Sequence, residues 1–418
     1  MAFFNPQNFV RIFIVVFVVV MTTIAYKVYQ QVAFLKKQKR DIIYNYQDDV
    51  SDNASYSDYV MTRIKDKMQT MQEILNIKPH IKNINLAQTV HNTHLGPFKN
   101  LLDSHIIVVL VHSDAYYLDQ LILSLKATTG IQDAFLIFSH DYYCDSINSL
   151  ISTVNFSKYM QIFFPYSVQL HQSVYPGKDG QFCSEGYDCI ESHKRNPEAA
   201  QSKHHWWWTV NQVFDHLEVM KSANVTVLFL EEGDYVAPDF LYIFKLLKGI
   251  KLLQFPFCDI ISLGAYEPHL SNYKMKTSIS VELWTKDVYR SGIAFNRQTW
   301  NSLKSNREEF CNHNDYNWDS SFRYVGFKKF KGYYMIAISG TRVFRLEKCG
   351  AGNDECREEL KVAALKLFLK LIVNGMFPSG YVMLMNKVND SIGTAAGLWE
   401  DIRDRELCMY FTKNCVWF

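Results

Sequence analysis

Beyond residue 104 the apolar positions gather into short continuous blocks rather than alternating ones. Ile106 to Val111 (IIVVLV), Ala134 to Phe138, Gln161 to Phe164 and Val225 to Leu230 are too short for helices and read as strands buried on both faces. The segments between them, 117–125, 146–153 and 206–221, carry helix-like patterns. This alternation predicts an α/β body with a mostly parallel sheet flanked by helices. Upstream the pattern differs. Residues 12–25 (IFIVVFVVVMTTIA) contain no charge and, with Phe9, Val10 and Tyr26, approach the ~20 residues a membrane-spanning helix needs. No small-residue cleavage motif follows, so an uncleaved signal anchor is expected over 12–34, after a cytosolic tail over 1–11. Residues 41–95 are polar, with a helical pattern (Val60, Ile64, Met68, Met71, Ile74, Leu75) that has little to bury it. A stem over 35–95 and a folded body over 96–418 are therefore expected.

Open α/β sheets bind ligands beyond the carboxyl ends of their strands. The residues to inspect are His112-Ser113-Asp114, Ser139-His140-Asp141 and Glu231-Glu232-Gly233-Asp234. Ser113 and Asp114 read equally well as helix caps. A strand ending in several carboxylates suits a divalent cation that bridges to a diphosphate, because Mg²⁺ and Mn²⁺ take hard oxygen ligands. The plain alternative is acids exposed on a loop, since Pro238 and Asp239 resemble a helix start. No GxGxxG motif, P-loop or internal repeat is present.

Composition narrows the classes. With 48% hydrophobic and 15% aromatic residues, the 418-residue chain can bury one large core or two ordinary ones. Its net charge of +2, from 44 basic and 42 acidic residues, argues against a nucleic-acid binder. The nine cysteines form no CxxC pair and no zinc-finger spacing, which favours disulfides in an oxidising compartment.

Several runs are specific. Ile137-Phe138-Ser139-His140-Asp141, Gln201-Ser202-Lys203-His204-His205-Trp206-Trp207-Trp208, Leu228 to Glu232, Tyr235 to Phe240, Asp315-Tyr316-Asn317-Trp318-Asp319 and Asp401 to Cys408 occur in order across about 104–410. Together they resemble N-acetylglucosaminyltransferase II, the alpha-1,6-mannosyl-glycoprotein 2-beta-N-acetylglucosaminyltransferase family. The resemblance implies a lumenal catalytic domain of the GT-A glycosyltransferase fold, UDP-GlcNAc as donor, Mn²⁺ as cofactor, and the α1,6-arm mannose of an N-glycan as acceptor. It implies an inverting displacement with Asp319 as the base, whose plain alternative is a capping or ion-pair carboxylate. Donor contacts implied by matching runs and strand ends are His112, Ser113, Asp114, Asp141, Gln201, Ser202, Lys203, His204 and His205. Trp206 to Trp208 read better as core and groove packing than as sugar stacking.

The sequence also departs from that family. The family's metal-binding Asp falls on Gly233, with Asp234 one position later, and its second metal ligand, a His, falls on Arg345. Asn-Arg after the first strand's His becomes Ser113-Asp114, and an acceptor-region Asn becomes Arg290. Two accounts remain open. In one, Gly233 lets Asp234 or Glu232 reach the metal, and Arg345 supplies positive charge to the diphosphate in place of a cation. In the other, the chain is a catalytically impaired paralogue that binds glycan or a partner. The family pattern implies disulfides Cys311–Cys408, Cys349–Cys356 and Cys183–Cys189, leaving Cys144, Cys258 and Cys415 free. One further family bridge has lost both partners, with Asn306 at one of its positions, and Phe255 stands opposite Cys258. Orientation pulls two ways. Lys27, Lys36, Lys37, Lys39 and Arg40 after the span, against Arg11 before it, favour a cytosolic body. The cysteines and the sequons at Asn53, Asn155, Asn224 and Asn389 favour the lumen. With the resemblance, the expectation is a single-pass type II Golgi membrane protein; homodimerisation is left open.

Overall fold

In a computed structural model of the protein, the described residues are 71–96, 105–172, 174–178, 195–220, 225–264, 278–285, 291–346, 376–385 and 397–413, with scattered positions between 356 and 369. The expected tail and anchor, Arg290, Cys183, Cys189, Cys349, Cys415 and the sequons at Asn53, Asn224 and Asn389 lie outside them. Among the described residues no helix is long and apolar enough to cross a membrane.

The elements follow in chain order. They are α1 (Met71–Ala87), β1 (His105–Val111), α2 (Ala115–Lys126), β2 (Ala134–His140), α3 (Asp145–Ser152), β3 (Lys158–Phe163) and α4 (Pro197–Asn211). Next are β4 (Thr226–Glu231), β5 (Asp234–Val236), α5 (Phe240–Gln254), β6 (Ile260–Gly264), β7 (Ser278–Leu283) and β8 (Ser291–Asn296). Last come α6 (Arg297–Ser305), α7 (Arg307–Asn312), α8 (Trp318–Phe330), β9 (Tyr334–Ile338), β10 (Val343–Arg345), β11 (Val382–Met385) and α9 (Ile402–Lys413).

The strands form a nine-stranded sheet in the order β11-β7-β9-β6-β8-β4-β1-β2-β3, and β10 and β5 form a separate pair. The half built from β3, β2, β1 and β4 is wholly parallel, as the uninterrupted apolar blocks require. The other half is mixed, because β8 runs antiparallel to both β4 and β6, and β7 antiparallel to β9. β1 shows why both faces are covered. Ile106, Val108 and Leu110 pack into one core cluster, while Ile107, Val109 and Val111 pack into the other. Each such side chain contributes about 1.5–3 kcal/mol on burial.

The first core is aromatic and centres on α4. Trp206, Trp207 and Trp208 are all buried, Trp206 stacked on Trp318 at 4.4 Å and Trp207 on Phe310 at 4.1 Å. This agrees with their reading as core. α9 lies along α4, accepting hydrogen bonds from the Trp207 indole N–H and the Asn211 amide at the carbonyls of Cys408 and Phe411. The expected Cys311–Cys408 disulfide is present and ties α7 to α9. Cys356 is disulfide-bonded, and Cys144 and Cys258 are free.

α1 differs from expectation. It falls within the expected stem, yet Ile74, Ile77 and Ile81 are buried against Phe163 and Leu170. The Asn85 side chain donates to the Phe163 carbonyl and accepts from the Phe163 N–H, both at 2.8 Å. The compact unit therefore starts at Thr70 rather than at 96. The helical pattern holds from Met71 onward, while Val60, Ile64 and Met68 lie outside the described residues; Leu75 is 58% exposed, and the burying partner is a sheet edge distant in sequence.

Candidate active site

Three strand ends meet. β1, β2 and β4 are adjacent and parallel, so their carboxyl ends bring His112, Asp141 and Glu232 together. The His112 backbone N–H donates to Glu232 Oε2 at 2.7 Å, and the His112 ring Nδ1 lies 2.7 Å from Asp141 Oδ2. α4 supplies His205, whose Nδ1 is 3.7 Å from the same Asp141 oxygen and whose Nε2 is 2.9 Å from Ser139 Oγ. Ser139 in turn bonds Thr209 Oγ1 at 2.7 Å. His205 and Thr209 are one helical turn apart and share a face, the signal that could have revealed Thr209 in the sequence.

Charge is distributed unevenly here. Burial works against the His112 imidazolium, but the Asp141 charge and hydrogen bond, with Glu232 and Glu231 behind, raise its pKa to about 9. Asp141 is buried too, yet His112 holds its pKa down at about 2. His205 is lowered to about 4, chiefly by burial, despite Asp141. Burial likewise raises Glu232 to about 7, against the pull of His112.

The acidic strand end is built differently. β5 pairs antiparallel with β10, in a register that sets Arg345 opposite Asp234. Arg345 Nη1 lies 2.6 Å from Glu231 Oε2 and 3.5 Å from Asp234 Oδ1. Asp234 Oδ2 accepts the Glu231 N–H at 2.8 Å. Burial raises Asp234 to about 6 in spite of Arg345, and the carboxylates raise Arg345 above its ordinary value in spite of burial. A Cβ at Gly233 would stand 3.3 Å from Arg345 Cζ, a close approach to the guanidinium. Two further features hold β10 in place. Gly264 admits it, since a Cβ there would collide with the Val343 carbonyl at 2.2 Å. Arg342, fully buried, binds both Asp239 oxygens at 2.9 and 3.1 Å.

The expected metal ligands thus have other partners: Glu232 holds the His112 N–H, while Asp234 holds the Glu231 N–H and faces Arg345. Gly233 offers no ligand, and a guanidinium stands against both Glu231 and Asp234. These residues do not fit a divalent cation, because the charge they would neutralise is already paired. Elsewhere among the described residues, His112, Asp141 and His205 offer ligand atoms within 4.8 Å of one another. Cation binding there must displace the proton that Asp141 holds on His112.

The other expected donor contacts divide. Asp114 caps α2 by accepting the Tyr116 N–H, and Ser113 is exposed beside it. Gln201 reaches the Val168 N–H at 2.5 Å and also bonds Asp141, so it belongs to the cluster. Ser202 is exposed. Lys203 and His204 point into the core. The fully buried Lys203 ammonium donates to the Asp315 and His313 carbonyls at 2.8 and 3.2 Å and lies 4.1 Å from the Trp399 ring centroid. His204 Nε2–H donates to the Asp404 carbonyl at 2.8 Å. Lys203 nevertheless matters to the site, since it fastens the 313–315 loop, which leads to Asp319, onto the helix that carries His205. Asp319 lies in the first turn of α8, 3% exposed, with Oδ2 bonded to Arg323 Nη1 at 3.0 Å.

The family model of N-acetylglucosaminyltransferase II (MGAT2) matches residues 78–408, a range that contains every one of these strand ends. The chain belongs to the N-acetylglucosaminyltransferase II family. It is 32% identical to the alpha-1,6-mannosyl-glycoprotein 2-beta-N-acetylglucosaminyltransferase of Rattus norvegicus over 332 residues, 74% of each chain. The Homo sapiens protein of the same name is 32% identical over 327 residues, 74% of this chain and 73% of its own. The Arabidopsis thaliana protein is 28% identical over 338 residues, 77% of each. Among solved structures, Staphylococcus aureus TarS 1-349 matches 64% of this chain and 71% of its own at TM-score 0.34 and 11% identity. The mannosyltransferase PcManGT from Pyrobaculum calidifontis, solved with GDP-Man and Mn²⁺, matches 73% of this chain and 76% of its own at TM-score 0.33 and 11% identity.

Proposed function

We propose that this chain transfers GlcNAc from UDP-GlcNAc to the 2-hydroxyl of the α1,6-arm mannose of N-glycans, on a GT-A type fold, as a type II Golgi membrane protein with its body in the lumen. One observation carries the reading: the family match over 78–408 encloses both the meeting strand ends and Asp319. In the inverting step the mannose 2-oxygen attacks the sugar C1, and the bond from C1 to the β-phosphate oxygen breaks. Its electron pair leaves on UDP, and the 2-hydroxyl proton passes to Asp319. Arg323 fixes the orientation of that carboxylate through Oδ2, and Lys203 fixes the loop before it. Such positioning is what an in-line displacement requires. His112, Asp141, Gln201 and His205 form the floor of the donor site.

The test is transfer by the full-length chain, purified in detergent, from UDP-GlcNAc to a mannose-terminated N-glycan, with the linkage read by mass spectrometry and glycosidase digestion. Asp319→Asn should lower kcat by about 10²–10⁴-fold, the usual contribution of a general base, with little change in KM for the donor. Glycan binding without any turnover in the wild type would replace this reading with that of a non-catalytic glycan-binding paralogue.

A further inference from the structure

We infer that Arg345 is a built-in cation of the donor site, taking the place of a divalent metal ion at the diphosphate, so that the chain binds nucleoside diphosphate without metal. The inference rests on the proposed donor chemistry. Its ground is geometric. Gly233 carries no side chain, and the guanidinium packs against it, with Cζ 3.3 Å from where a Cβ would be. Glu231 and Asp234, at the carboxyl end of β4 and the start of β5, approach the same Nη1 at 2.6 and 3.5 Å. A guanidinium has five N–H donors, so these two carboxylates do not exhaust it, and its planar fork matches phosphate oxygens.

The position is constructed rather than incidental. Arg345 ends β10, and its neighbour Leu346 donates its N–H to the Gly233 carbonyl at 2.9 Å. The Arg342 carbonyl accepts the Ala237 N–H at 2.9 Å, and the Arg342 side chain is clamped on Asp239. The strand bearing Arg345 is therefore fastened along both ends of β5. Arg345 is 18% exposed on its side chain and Glu231 31%, so the pair opens to solvent while Asp234, at 3%, backs it from beneath. When the bond from C1 to the β-phosphate oxygen breaks, one further negative charge develops on the diphosphate. A fixed guanidinium in a partly desolvated setting meets that charge without reorganising.

The experiment is titration of the full-length protein with UDP by calorimetry, in EDTA and in Mn²⁺, beside the transfer assay under the same two conditions. The expected result is UDP affinity and transfer rate unchanged within about twofold by EDTA, with Arg345→Ala weakening UDP binding by about 10- to 100-fold, as loss of charge-assisted hydrogen bonds does. Arg345→Lys should recover part of that loss. UDP binding seen only with Mn²⁺ overturns the inference, and so does an Arg345→Ala protein that is folded by circular dichroism and keeps wild-type affinity. Should Arg345→Ala fail to fold, the wild-type comparison in EDTA decides alone. The two proposals fail separately: Mn²⁺-dependent transfer sinks this one and leaves the function standing, whereas metal-free UDP binding without transfer does the reverse.

Discussion

His112 and Asp141 face each other at 2.7 Å in a site where burial disfavours both charges, and each keeps its charge chiefly because of the other. His112 is raised from 6.5 to about 9, so its contribution to stability is complete below about 6.5 and is lost as pH rises through about 9. Asp141 is lowered from 3.8 to about 2, so its contribution is complete above about 3.8 and is lost as pH falls through about 2. The pair is thus at full strength in mildly acidic solution. Asp141→Asn should bring the His112 titration, followed by the imidazole NMR signals, from near 9 to below its ordinary 6.5, because the desolvation remains after the counter-charge is gone. A titration that stays near 9 in that variant would show that Glu232 and Glu231, rather than Asp141, hold the proton. His112 and Asp141 were legible because each lies just beyond a continuous apolar block, His112 directly after Val111 and Asp141 in the polar run that follows Phe138. His205 was legible only through the family-like run, since helix α4 is buried continuously from Lys203 to Asn211 and mixes polar with apolar residues, which gives no periodic clue to which His faces the sheet. Lys203 and His204, adjacent in that run, turned out to be core residues for the same reason.

At the level of elements, β1 to β4 and helices α2 and α3 could be read from the sequence pattern, whereas α4 (Pro197–Asn211) shares only 206–211 with the helix expected over 206–221, and the mixed half of the sheet could not be read. β7, β8 and β11 are four- to six-residue strands whose antiparallel or edge placement depends on partners far along the chain. β5 and β10 are three residues each, too short for any periodicity, yet they set the character of the acidic strand end. What secures β10 is the Arg342–Asp239 pair, with both side chains fully buried. Removing one member of a buried ion pair strands the other charge and typically costs about 3–5 kcal/mol. Arg342→Leu should therefore lower the unfolding free energy measured in urea by that order, and Asp239→Asn added to it should restore much of the loss. Additive losses in this double-mutant cycle would mean that the two side chains act independently and that β10 is held by its strand pairing alone.

Across the whole molecule, the compact unit from Thr70 is closed at its far end by α9, which the Cys311–Cys408 bridge joins to α7 across 97 residues. A loop of that length removes about 4–5 kcal/mol of unfolded-chain entropy in the simplest model, provided the bridge forms, and bridges of this kind persist in oxidising compartments. The positively charged residues after the apolar N-terminal run argue instead for a cytosolic body, so topology must be decided by a group that only a lumenal enzyme could modify. Asn155 is suited to that purpose. It is exposed in the turn between α3 and β3, and its sequon partner Ser157 is buried with its hydroxyl bonded to the Ala134 carbonyl at 2.7 Å. Expressed full-length in a eukaryotic cell, the protein should carry endoglycosidase-sensitive mass. Asn155→Gln should remove one glycan's worth of it, while the Cys311–Cys408 bridge should appear in non-reducing peptide maps of the same material. An unglycosylated chain with Cys311 and Cys408 both alkylatable, and with its body open to protease in intact microsomes, would place the catalytic unit in the cytosol and remove it from the N-glycan acceptor.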